Sequence, residues 1–266
     1  MPTTYTHYVF GQEVKNLLPI KLQGLIEPLE DYYNIGVHGP DILFYYRAFC
    51  KNRINQYGVK VHKEPMKTFL DHAFTVFEDQ PQKKAAFAYL AGFMTHFILD
   101  STCHPYIRRR IRETGVCHAE IERDWDSVMM QRDHLNPVSH LVARHIYPRP
   151  EYCRVIAPYY DLTPLQMKNS LMDMKLVLNH LFRSSFGVTS HLAALTNSLF
   201  LRNYNYQHYF VKKNINPKNI DTIHHLDKLY AGCQKECAHM ITSLYEALAR
   251  QDRSFSDEVR FQRHFS

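Results

Sequence analysis

From residue 85 to residue 99 the chain reads AAFAYLAGFMTHFIL, apolar almost throughout and interrupted by Thr95 and His96. The run is too short to span a bilayer and reads as a buried central helix. Elsewhere apolar residues mostly recur at helical rather than alternating intervals. Residues 5–29 follow that period, with a break expected at Pro19. Residues 34–41 (NIGVHGPD) read as a loop around Gly36, Gly39 and Pro40. Residues 42–50 read as a helix, and so do residues 65–77, with Pro65 near the first turn. Residues 78–82 connect that helix to the central one. Another helix is predicted over 120–132, after which Pro137, Pro148 and Pro150 redirect the chain. Residues 162–186, 190–201 and 224–251 are helix-like, and Thr163-Pro164 resembles a cap followed by a first-turn proline. The polar tail after Asp252 reads as loose. Residues 57–61 are a candidate extended piece, too little for a sheet. With no repeat and no low-complexity linker, the pattern predicts an all-α chain, a single multi-helix domain over 1–266.

Composition sharpens this picture. At 266 residues and 45% hydrophobic the chain can bury a real core, which excludes disorder. A net charge of +6 suits an anionic substrate without demanding nucleic acid. Nine glycines are too few to favour a turn-rich β fold or a Gly-rich phosphate loop. The first residues carry no basic stretch followed by an apolar run, and the six cysteines form no CxxC pair. Both features lead to the expectation of a cytoplasmic chain with reduced thiols and no transmembrane segment. The informative count is 17 histidines.

Several of them fall in a pattern. His96 and Asp100 are four residues apart, His104 follows after four more beside Pro105, and His118 and Glu122 are again four apart. A helix brings residues i and i+4 onto one face, so each pair can aim two ligands at one point. His104 is expected where the central helix ends. His, Asp and Glu form the natural ligand set of an open zinc site. Each residue also has a plain explanation: a lone His in an apolar helix is usually a packed core residue, and Glu122 could pair with Arg123 or Arg112. Asp41, after Gly39-Pro40, is either a carboxylate fixed on a rigid loop or the N-cap of the next helix.

Taken in order, THYVFG, GVHGPDILFYY, AYLAGFMTHFILDSTCHPYI and HAEIERDWD resemble the bacterial zinc-dependent phospholipase C family, which is related in fold to fungal single-strand nucleases. The resemblance is strongest over residues 5–126; residues 150–266 match only in being helical. It implies a hydrolase with a multi-zinc site between helices, holding two or three zinc ions and cleaving phosphodiesters, phospholipid headgroups among them, with metal-activated water. Asp100 would bridge two zincs. His96 and Asp41 would share one of them, with Asp41 the general base. His62 is the expected further histidine of that zinc and His72 its rival. His104, His118 and Glu122 would hold a separate ion. His7 would share a third with Asp100. Secreted members complete that third site with an N-terminal Trp. The single Trp here is Trp125, so water or another residue such as His38 would have to serve.

Two other functions compete: a nuclease of the related branch, and a helical binding module stabilised by structural zinc. No basic stripe with interleaved aromatics appears beyond Arg108–Arg112, so no stable nucleic-acid complex is expected. That cluster could gather phosphate or be a solvated helix face. Phe44, Tyr45 and Tyr46 could line a headgroup pocket or pack in the core. Cys103 and Cys117 are expected as packed neighbours. Cys233, Cys237 and His239 lack a fourth ligand, and Tyr204, Tyr206 and His208 are expected to pack.

Overall fold

The computed structural model describes residues 4–181 and 212–265. Among them are ten α-helices in chain order: α1 Thr4–Leu17, α2 Ile20–Ile26, α3 Glu30–Gly36, α4 Arg53–Lys63, α5 Met66–Asp79, α6 Lys83–Thr114, α7 His118–Arg132, α8 Pro150–Ile156, α9 Pro164–Leu176 and α10 Ile220–Arg250. The described residues contain no strand; Pro65 and His264 form an isolated antiparallel bridge. The fold is all-α. No helix among the described residues is long and apolar enough to cross a membrane.

Everything is arranged around α6, 32 residues long and buried from Ala85 to Ser101. α3, α10 and α1 pack against it. The α3–α6 crossing is close because both helices present glycine. A Cβ on Gly92 would stand 2.2 Å from the Tyr33 carbonyl oxygen, and one on Gly36 2.2 Å from that of Tyr89. α6 does not end at His104. It passes through Pro105 because Ile107 and Ile111, one turn apart, extend its apolar face into the core. It closes at Gly115, whose φ of 70° permits the left-handed cap.

Other expectations also change. Residues 34–36 complete α3 instead of a loop. Residues 42–50 do not form an α-helix: Gly39–Tyr45 is a 3-10 helix, and Arg47 turns the chain with φ 47°. Asp41 therefore sits inside this turn and caps nothing. Residues 57–61 lie within α4, which starts at a capping box between Asn52 and Asn55. Thr163 caps α9 as expected, accepting from the Gln166 N–H at 3.2 Å. Of the helix expected over 162–186, Pro164–Leu176 forms α9 and Val177–Leu181 a π-turn, while residues 182–186 lie outside the described residues. Residues 190–201, with Tyr204, Tyr206 and His208, lie outside the described residues.

The tail is not loose. Phe255, Phe261 and Phe265 are buried, and Arg253–Asp257 and Val259–Gln262 form 3-10 turns. Three aromatic anchors in a short stretch outweigh its polar average.

Candidate metal centre

α1, the 3-10 turn, α4, α6 and α7 converge on one buried cluster. His7 comes from α1, Asp41 from the turn, His62 from α4, His96, Asp100 and His104 from α6, and His118 and Glu122 from α7. The i, i+4 spacing puts each of the pairs His96–Asp100, Asp100–His104 and His118–Glu122 on one helix face. Three groups have ligand-type atoms all within 4.8 Å of one another: His7, His96 and Asp100; Asp41, His62 and His96; His104, His118 and Glu122. All eight expected residues are thus brought together, and His96 belongs to two groups.

The contacts show what chemistry the cluster needs. His62 turns Nδ1 to the Gly58 carbonyl at 2.7 Å and Nε2 to Asp41 Oδ1 at 2.9 Å. His104 turns Nδ1 to the Phe265 carbonyl at 2.6 Å and Nε2 to Glu122 Oε1 at 3.2 Å. His118 Nε2 meets the same Glu122 oxygen at 2.8 Å. His7 Nε2 lies 3.1 Å from Asp100 Oδ1, and His96 Nε2 3.3 Å from Asp100 Oδ2. With Nδ1–H given to a carbonyl, Nε2 and a carboxylate oxygen are two acceptors in contact, and a proton or a metal cation must lie between them. Buried polar atoms without a hydrogen bond concentrate here as well: His7 Nδ1, Asp41 Oδ2 and both ring nitrogens of His96. An all-nitrogen-and-oxygen donor set with orphaned buried atoms fits zinc.

Electrostatics agree. Burial lowers the His104 pKa, but Asp100 and Glu122 outweigh it and hold the imidazole up at about 9. His7 and His62 behave alike: burial pushes down, the bonded Asp100 or Asp41 pushes further up. Burial lowers the His96 pKa and His7 lowers it further, against Asp100 and Asp41, which raise it. Burial would raise Asp100 and Glu122, yet the surrounding imidazoles hold both carboxyls well below the usual range.

The chain matches residues 6–175 of its length to the zinc dependent phospholipase C family, a span that contains all eight residues. The chain belongs to the zinc-dependent phospholipase C family. No curated protein and no solved structure matches it significantly. As a member of a zinc-dependent phospholipase C family, it presents three groups compatible with two or three zinc ions.

Other expected participants fall elsewhere. His72 bonds the Pro158 carbonyl at 3.1 Å and approaches Asp161 at 3.7 Å, in none of the three groups. His38 is not in the His7 group either: its Nε2 pairs with His145 Nε2 at 2.7 Å. Burial and His145 push the His38 pKa well down. Phe44 stacks on His62 with centroids 4.9 Å apart, Tyr45 is core, and Tyr46 lines a separate cleft of about 670 Å³ with Arg53 and Lys60. In the arginine cluster, Arg110 bonds Glu113 at 2.8 Å and Thr222 at 3.0 Å, and Arg109 pairs with Glu113 at 3.8 Å. Cys103, Cys233 and Cys237 are buried free thiols outside any metal-capable group among the described residues.

Asp126 escapes the sequence reading. It accepts from the Tyr5 N–H at 3.1 Å, the Thr6 N–H at 2.8 Å and the Thr6 hydroxyl at 2.7 Å. It therefore caps α1, the helix that carries His7, from α7. Burial raises its carboxyl to about 6 against those bonds. The available signal was its position one turn beyond Glu122 on the same helix.

Proposed function

We propose that this protein is a phosphodiester hydrolase of the phospholipase C type, with metal ions held by His7, Asp41, His62, His96, Asp100, His104, His118 and Glu122. The observation that carries this is the three contiguous ligand groups, with His96 common to two of them. Zinc bound there supplies a Lewis acid and lowers the pKa of water to about 7. The imidazoles around Asp100 hold its carboxyl well below the usual range, and Asp41 adds a second carboxyl group to the cluster. Asp41 Oδ2 is buried and without a hydrogen-bond donor, which supports a role for it in taking the proton of the attacking water. The His118 side chain is 39% exposed, against 10% or less for the other seven. The diester therefore approaches from the His118 side and leaves as a phosphomonoester and an alcohol. Residues beyond the family match belong, on this reading, to the same domain, since α10 packs on α6 and Phe265 contacts His104.

The test is hydrolysis of phosphatidylcholine vesicles and of single-stranded DNA by the wild-type chain and by Asp100→Asn. Lipid turnover that disappears together with zinc in Asp100→Asn is expected. A fully metallated, fully active Asp100→Asn protein would overturn the assignment. Turnover of DNA without lipid would move the protein to the nuclease branch.

A further inference from the structure

Residues 253–265, outside the family match, run back across the molecule and finish against the metal centre. Phe255 and Phe261 anchor the stretch, with ring centroids 4.9 Å apart. Lys67 reaches Asp257 at 2.7 Å and Arg253 reaches Glu78 at 2.9 Å. The Met66 N–H bonds the Arg263 carbonyl at 3.0 Å, and His264 Nδ1 bonds the Lys63 carbonyl at 2.6 Å. This places Phe265 in the interior. Its ring is fully buried, with centroids 5.4 Å from His62, 5.9 Å from His96, 5.8 Å from Phe93 and 5.1 Å from Phe97.

We infer that the Phe265 carbonyl is a positioning group for the ion at His104, His118 and Glu122, and that residues 253–265 are part of that site. The inference rests on the metal-dependent reading above. His104 Nδ1 faces two acceptors, the Phe265 carbonyl at 2.6 Å and Asp100 Oδ2 at 3.7 Å. The nearer carbonyl claims the Nδ1–H. That fixes the tautomer, leaves the lone pair on Nε2 beside Glu122, and keeps His104 out of the Asp100 group. The Phe265 ring braces the arrangement. It fills the space beside His62 and His96, so the carbonyl cannot move without opening a gap against two other proposed ligands.

The experiment compares zinc affinity, by chelator competition, in the wild-type chain, Phe265→Ala, Phe265→Leu and Ile156→Ala. The last is a core truncation on α8, which carries no ligand. In parallel, nitrogen-resolved NMR of the zinc-loaded proteins reads the His104 tautomer and the exchange of its Nδ1–H. Phe265→Ala is expected to weaken the zinc at His104, His118 and Glu122 by roughly 10–100-fold, more than any other, and to expose that proton to exchange. Phe265→Leu, which keeps an apolar anchor, restores most of the affinity, and Ile156→Ala leaves both readouts unchanged. Wild-type affinity with a protected Nδ1–H in Phe265→Ala would overturn the inference. An equal loss in Ile156→Ala would reduce the effect to stability and also overturn it. Should Phe265→Ala not fold, a semisynthetic chain with an ester in place of the peptide bond after Phe265 decides. Its carbonyl is a weaker acceptor while every side chain remains, so zinc affinity must fall, and an unchanged value overturns. A wild-type chain that takes up no zinc would instead sink the hydrolase reading itself.

Discussion

Replacing Gly39 by alanine tests how the backbone holds a proposed ligand. Gly39 has φ of +49°, and a Cβ built there would stand 2.4 Å from His96 Cδ2 and 2.6 Å from Cγ. The left-handed conformation costs alanine roughly 1–2 kcal/mol. The clash adds about 1–3 kcal/mol of overpacking, because the His96 ring is fully buried and has nowhere to go. It stacks on His7 with centroids 4.4 Å apart and meets His62 edge-on at 6.0 Å. The restricted unfolded chain returns only about 0.4–1 kcal/mol. The expected net loss is therefore about 1–5 kcal/mol, seen as a lower urea midpoint in zinc-free protein. Because His96 belongs to two ligand groups, the loaded protein should also lose affinity at both. Gly39→Asn separates the terms: asparagine tolerates the backbone better but carries the same Cβ, so it recovers the strain and not the clash. Wild-type stability with undiminished zinc in Gly39→Ala would refute the reasoning.

Three other outcomes are expected. The folded His104 value of about 9 lies above the ~6.5 of a free imidazole. Its contribution to zinc-free stability is therefore complete below ~6.5 and lost as pH rises through about 9. Zinc has to displace that proton, so apparent affinity at this group should climb by up to about tenfold per pH unit between roughly 7 and 9; a flat competition curve would contradict this. Gly92→Ala gains about 1 kcal/mol of helix propensity, but its Cβ meets the Tyr33 carbonyl at 2.2 Å, so urea unfolding should show net destabilisation, and a stabilised variant would refute the close crossing. Asp126→Ala removes the cap of α1 and should cost about 0.5–2 kcal/mol while weakening zinc bound through His7, read by denaturation and by chelator competition; an unchanged zinc affinity would deny Asp126 a role in aiming His7.

The ligand pairs on α6 and α7 were legible because helical spacing alone decides that His96 faces Asp100 and His118 faces Glu122. His62 and His7 came from resemblance, since nothing local ties them to α6; Asp41 stood out after Gly39-Pro40, but only resemblance tied it to His96. The role of Asp126 was not legible beyond its place one turn after Glu122, and that of Phe265 was not legible at all. Their partners Thr6 and His104 lie 120 and 161 residues away in sequence, and a capping carboxylate or a backbone carbonyl leaves no periodic trace. The fold errors have local causes. The apolar run ILFYY suggested a helix, but the 3-10 turn ends at Tyr45 and Arg47 turns the chain. The tail looked polar because Phe255, Phe261 and Phe265 are spaced among charged residues that face solvent. Pro105 suggested an end to α6, yet Ile107 and Ile111 continue its buried face.

Metal content tests the central claim most directly. Elemental analysis of untagged protein, purified without chelator and equilibrated with zinc, should give two or three zinc ions per chain, falling in Asp100→Asn and Glu122→Gln. One ion or none in the wild-type chain, even after zinc is added, would contradict the account.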